Sequence, residues 1–79
     1  MPILGQIALF AGNFAPRGWL FCEGQLLPVN QYAALSTLLW NTYGGDGETN
    51  FALPDLRSKA PVSGLNYIIA FQGEYPSRP

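Results

Sequence analysis

The sequence predicts a small α+β fold: one short helix set on a few short strands, joined by long loops. Three observations lead there. Apolar residues near both ends, over 3–10 and 66–72, fall on both faces of an extended chain, as in strands. One stretch, Gln31 to Trp40, carries a helical stripe. Nine glycines and seven prolines are spread through the chain, so its long loops take their shape from turn residues.

Ile3 to Phe10 is the first expected strand. Ile3, Ile7 and Leu9 share one face and Leu4, Ala8 and Phe10 the other, which predicts a strand covered on both sides. Ala11 to Gly18 is a loop holding Gly12, Asn13, Pro16 and Gly18. Trp19 to Cys22 is a second strand, Glu23-Gly24 its hairpin turn and Gln25 to Leu27 the return. Pro28 breaks that pairing. Asn30 is the expected N-cap of the helix Gln31–Trp40, whose stripe is Tyr32, Leu35, Leu38 and Leu39. Asn41 and the glycines beyond it end that helix.

Tyr43 to Arg57 organises the chain. Gly44, Gly45 and Gly47 make a shaped loop around Asp46. Phe51, Ala52 and Leu53 then turn apolar, and Pro54 holds Leu53 extended. In an extended segment Asp55 and Arg57 share one face and Leu56 takes the other, so Phe51, Leu53 and Leu56 are expected to staple the loop into the core. Lys59 to Val62 reads as extended and Ser63-Gly64 as a turn. Asn66 to Gln72 is the last strand, expected to pair with the first and bring the chain's ends together. Residues 1–79 read as one domain, with 73–79 a tail that is either disordered or lies against a neighbouring subunit.

Tyr43-Gly44-Gly45-Asp46-Gly47 followed by Phe51-Ala52-Leu53-Pro54-Asp55-Leu56-Arg57 resembles the signature of the phage tail collar domain family. Leu9-Phe10-Ala11-Gly12-Asn13-Phe14-Ala15-Pro16-Arg17-Gly18-Trp19 resembles the family's opening, and Cys22 to Pro28 its next block. Gly64 to Ala70 with Pro76-Ser77-Arg78 resembles the closing segment of many members. The resemblance implies a non-enzymatic structural protein of tail-fibre type that forms trimers. In many members a glycine-rich middle and a distal region precede that closing segment. Here Ser58 to Ser63 joins the blocks almost directly, so the usual place for a receptor-binding insertion is nearly empty.

Composition agrees with self-association. The chain is 48% hydrophobic and 11% charged, against about 25% charged for an average domain. A single core of this size contributes little stability. Cys22 has no second cysteine to pair with, and the sequence lacks histidine, so neither an internal disulfide nor a cysteine–histidine metal site reinforces it. Subunit contacts are the remaining reinforcement. The net charge is −1 with no basic stripe, which gives nucleic acid no electrostatic footprint. No apolar run is long enough to insert in a membrane. The first residues, Met-Pro-Ile-Leu-Gly-Gln, lack the features of a Sec signal peptide. An extracellular or virion-associated place is expected.

No catalytic, cofactor or metal residue is expected. Histidine, the usual general base, is missing, and Cys22 reads as a small buried hydrophobe. Any two of the five acidic residues would suit glycoside hydrolysis on paper, which makes that signal empty. Asp46, Glu48 and Asn50 alternate like the first ligands of a calcium loop, but Arg57 stands where the bidentate acid belongs. Asp55 and Arg57 are expected to bond loop backbone or each other. Arg17, Trp19, Trp40 and Tyr75 remain as candidate assembly or ligand contacts. The first hypothesis is a structural protein whose copies form a trimer, ring or extracellular filament. The alternative is a small oligomeric adhesin that binds cell-surface carbohydrate or a receptor through Trp19, Trp40, Tyr43 and Tyr75.

Overall fold

The computed structural model describes residues 2–77. The elements run β1 (Ile7–Phe10), β2 (Trp19–Phe21), β3 (Leu26–Pro28), α1 (Ala33–Leu39), β4 (Asn50–Ala52) and β5 (Asn66–Ala70). They form an antiparallel three-stranded sheet of order β1-β5-β2 and an antiparallel pair β3-β4. One helix and two small sheets make this an α+β fold.

β5 is central because its sequence suits both faces. Ile68, Ile69 and Ala70 are buried in succession, and a strand wrapped on both sides needs such a run. The expected pairing of the first and last strands is present, with Ile7 opposite Ile69 and Leu9 opposite Tyr67. β2 docks on the other edge, with Trp19 opposite Ala70 and Phe21 opposite Ile68.

β1 departs from expectation in length and in cover. Gly5 has φ +83°, and Gln6 N–H donates to the Ile3 carbonyl at 2.9 Å. That turn cuts the strand short, sends Leu4 into the core and leaves Ile3 to bridge Glu74 in parallel. β1 is therefore an edge strand left partly open on both faces, with Ile7 42% and Leu9 41% exposed and Ala8 and Phe10 half-buried.

The hairpin expected at Glu23-Gly24 does not form. β2 pairs with β5 and β3 with β4, so the chain crosses between sheets there. The Gln25 side chain shapes the crossing, accepting from Glu23 N–H at 3.0 Å and donating to the Phe21 carbonyl at 2.9 Å. Pro28 is the last residue of β3, paired opposite Asn50, so the strand ends there as expected, though its partner is β4 and not β2. β3 has a single neighbour, so the missing N–H interrupts no second ladder.

The helix is shorter than its stripe. Gln31 and Tyr32 N–H both donate to the Pro28 carbonyl, at 3.3 and 3.2 Å, which makes 28–32 a separate turn. Asn30 therefore does not cap α1; Tyr32 holds that place with no side-chain bond. The apolar stripe does face inward: Leu35 is buried and Tyr32, Leu38 and Leu39 pack on the core. Trp40, rather than Asn41 and the glycines, ends the helix, with φ 45° and ψ −128°.

Two later expectations also change. Lys59 to Val62 forms turns and bends instead of an extended run, beginning with Lys59 N–H to the Leu56 carbonyl at 3.0 Å. The start of the tail is anchored within the chain. Glu74 donates to the Pro2 carbonyl at 3.0 Å and accepts from Leu4 N–H at 2.9 Å. The Tyr75 hydroxyl shares a 2.7 Å hydrogen bond with Thr37. Arg78 and Pro79, which the family's closing block and the tail reading both include, lie outside the described residues.

The core is Leu4, Cys22, Leu27, Leu35, Phe51, Leu53 and Ile69. Leu53→Ala is expected to cost about 2–5 kcal/mol in urea unfolding, because a 1% exposed leucine leaves a cavity. Leu26→Ala in the same sheet region, at a side chain 59% exposed, is expected to change stability by no more than about 0.5 kcal/mol.

Candidate functional site

The Tyr43–Arg57 segment is built around Asp46. Its Oδ1 accepts from the backbone N–H groups of Glu48 (2.8 Å), Thr49 (2.8 Å) and Asn50 (3.1 Å). Its Oδ2 accepts from the Thr49 hydroxyl at 2.7 Å. Asn50 returns the favour: its Oδ1 accepts from Asp46 N–H at 3.0 Å, and its carbonyl from Gly47 N–H at 2.9 Å. This fan of donors holds the Asp46 carboxyl well below the usual carboxylate range, the Thr49 hydroxyl contributing most. A carboxylate with this many bonds to its own loop acts as a structural pin.

Glycine is required at two places. Gly47, at φ +77°, lies beneath the Trp40 indole, and a Cβ would collide with that ring. Gly45, at φ +84°, would place a Cβ 2.8 Å from Phe51 Cα. Trp40 itself is the non-glycine residue with positive φ among the described residues, an unfavourable state for a bulky side chain. Its indole gains the glycine loop as a packing surface while remaining 60% exposed.

Beyond the loop, Phe51, Leu53 and Pro54 are buried, Leu56 packs on the core, and Tyr43 stays exposed. Asp55 and Arg57 point outward and bind each other in a fork. Arg57 Nε donates to Oδ1 at 2.9 Å and a terminal nitrogen to Oδ2 at 2.7 Å. Arg57 N–H adds a third bond to Oδ1 at 3.2 Å. The Arg57 side-chain bonds pull the Asp55 carboxyl down to about 2, and the guanidinium rises in turn. The backbone of Asp55 also forms an antiparallel β-bridge with that of Glu23, which ties this segment to the crossing between sheets.

The candidate contact residues separate into distinct places. Arg17 and Trp19 line a shared pocket with Pro2, Gly18, Gln72 and Gly73. Trp40 covers Gly47, and Tyr75 reaches Thr37 on α1. Among the described residues the aromatic rings in contact are Tyr32 and Phe71, edge to face at 5.3 Å, so Trp19, Trp40, Tyr43 and Tyr75 do not build one platform. Cys22 is 2% exposed and burial pushes its thiol up to about 11. Sequence reasoning missed Ile7, Leu9 and Phe14 as surface groups, and missed Gln72 as a neighbour of Arg17. One signal was present: no charged residue occurs from Pro2 to Pro16.

Two measurements check this site. Both carboxyls are lowered in the folded state, so their contribution is complete above the unfolded value of 3.8 and is lost as pH falls through the folded values. For Asp55 that window runs from 3.8 down to about 2. Stability followed by circular dichroism is expected to fall with acid over this range, and Asp46→Asn with Asp55→Asn to flatten the slope. In hydrogen exchange, Asp46→Ala is expected to speed the amides of Glu48, Thr49 and Asn50 while those of Ile68 to Ala70 keep their protection.

The loop, the crossing and the first two strands fall within one known pattern. The family model described as Phage Tail Collar Domain matches residues 5–61. That span includes β1 to β4, α1 and the whole Tyr43–Arg57 segment, and stops before β5. No curated protein matches the chain. With well over half of its residues matched, the chain belongs to the phage tail collar domain family.

Proposed function

We propose that this chain is a non-enzymatic structural subunit of phage-tail-fibre type whose copies self-associate, as a trimer, a ring or a filament, on a virion or outside cells. The observation that carries this reading is the free edge of β1. A sheet edge offers unpaired N–H and C=O groups to another chain, and proteins that stay monomeric guard such edges with charge, proline or a bulge. β1 has none of these guards: Ile7-Ala8-Leu9-Phe10 is wholly apolar, and the charge-free stretch around it reaches from Pro2 to Pro16. Ile7 and Leu9 stand exposed on this edge strand.

The other face of the same sheet supports the reading. Register places Ala8, Phe10, Trp19, Phe21, Ile68 and Ala70 together on it. Phe10, Trp19 and Phe21 pack outside the core cluster and stay half-buried. Trp40 and Tyr75, both more than half exposed, are proposed as further contacts between copies. The family's tail origin gives such contacts a setting. Chemistry points the same way. The Cys22 thiol is held protonated by burial, and the Asp46 and Asp55 carboxylates are committed to loop backbone and to Arg57.

The test is particle size. Negative-stain microscopy and light scattering across a concentration series are expected to show filaments or uniform small oligomers. Ile7→Lys with Leu9→Lys is expected to give monomers with an unchanged far-ultraviolet spectrum, since both side chains are exposed. Wild-type protein that stays monomeric at every concentration would sink the proposal.

A further inference from the structure

We propose that Arg17, Trp19 and Gln72 form a binding site for a hexuronic acid, a sugar with a carboxylate on a six-membered ring. The pocket they line, with Pro2, Gly18 and Gly73, is an open cleft of about 180 Å³. It lies where the Ala11–Gly18 loop enters β2 and the chain leaves β5, a place apart from the β1 edge.

The pocket is built, not incidental. Gly18 has φ +88°, and the Gln72 side chain crosses it, its Oε1 3.3 Å from where a Cβ would sit. Gly73 has φ +146°, and the Pro2 carbonyl occupies the space a Cβ would need. Two backbone bonds hold these walls together: Phe71 N–H to the Gly18 carbonyl at 2.9 Å, and Glu74 N–H to the Pro2 carbonyl at 3.0 Å. Any larger residue at Gly18 or Gly73 adds bulk to the floor at a backbone angle that resists it.

The lining chemistry selects the ligand. Arg17 is the one charged lining residue. Arg57, by contrast, is already taken by Asp55. Arg17 takes part in no ion pair and no hydrogen bond among the described residues, so its guanidinium donors are free. That planar fork matches a carboxylate with two parallel bonds. The Gln72 amide offers a donor and an acceptor, which suits a neighbouring pair of hydroxyls. Trp19 supplies a broad apolar surface for the C–H face of a pyranose ring, with an indole N–H at its edge. A simple carboxylate such as acetate uses Arg17 alone. A neutral sugar leaves Arg17 unpaired. An acidic amino-acid side chain lacks the flat ring. A hexuronic acid uses all three groups at once.

Titration calorimetry of the full chain, at a concentration whose particle size is measured alongside, tests this, with tryptophan fluorescence beside it. The probes are glucuronate, glucose, acetate and N-acetylglutamate. Glucuronate is expected to bind saturably. The other three are expected to bind at least about tenfold more weakly, since each omits a charge-assisted bond or the ring contact. Arg17→Gln and Gln72→Ala, both at exposed side chains, are expected to keep the fold and to weaken glucuronate, Arg17→Gln by about tenfold or more. No saturable glucuronate binding, equal binding of glucose or N-acetylglutamate, or an Arg17→Gln variant that binds like the wild type would each overturn the assignment. Self-association is measured separately by particle size, so failure of one proposal leaves the other standing.

Discussion

Burial of β5 on both faces is the constraint on which the rest of the structure depends. Ile68, Ile69 and Ala70 have no exposed side on which to place polar groups, so the strand needs a neighbour along each edge and cover on each face. β1 and β2 supply the edges from the far end of the chain. Core residues from four other regions, Leu4, Leu27, Leu35 and Leu53, belong to the cluster that Ile69 joins. Once β5 is in place the two ends of the chain are neighbours, and the Pro2–Leu4 segment can bond to Glu74. The hairpin that local turn chemistry favours at Glu23-Gly24 gives way to this arrangement. Its strand is worth more beside β5, where Trp19 to Phe21 meet a fully buried partner.

The loop solves a different problem. From Gly44 to Thr49 the chain forms no helix and no strand, so its backbone groups, with the Asn50 N–H at the start of β4, need partners from elsewhere. One carboxylate satisfies three of them, and two positive-φ glycines let the loop close beneath Trp40. The strained backbone at Trp40 is the local cost of that cover. Hydrogen bonds tie the loop backbone down, and Trp40 and Tyr43 stand exposed beside it.

With so few charges, their disposition decides what the surface can do. Asp46 turns inward on its loop, and Asp55 and Arg57 consume each other. Among the described residues Arg17 has no ion-pair or hydrogen-bond partner, and it shares a pocket with Trp19. The charge-free stretch from Pro2 to Pro16 leaves the β1 edge bare. A sparse charge set thus produces two distinct surfaces, one apolar and one cationic and aromatic.

Much was determined by the sequence alone. The glycine cluster, Leu53-Pro54 and the Asp55-Leu56-Arg57 alternation specify a shaped loop with an inward leucine, because φ limits and strand periodicity act over a few residues. The helical stripe was legible for the same reason, and the pairing of the terminal segments from the likeness of their apolar patterns. Only the tertiary structure decided which strand lies at an edge, since Ile7-Ala8-Leu9-Phe10 reads the same whether covered or bare. It alone separated β2 from β3, replaced Asn30 by Tyr32 at the helix start, and anchored Tyr75 on Thr37. It alone set Gln72 against Gly18, in the pocket that Arg17 also lines. These are contacts between residues distant in sequence, and competition for partners, not local propensity, chooses among them.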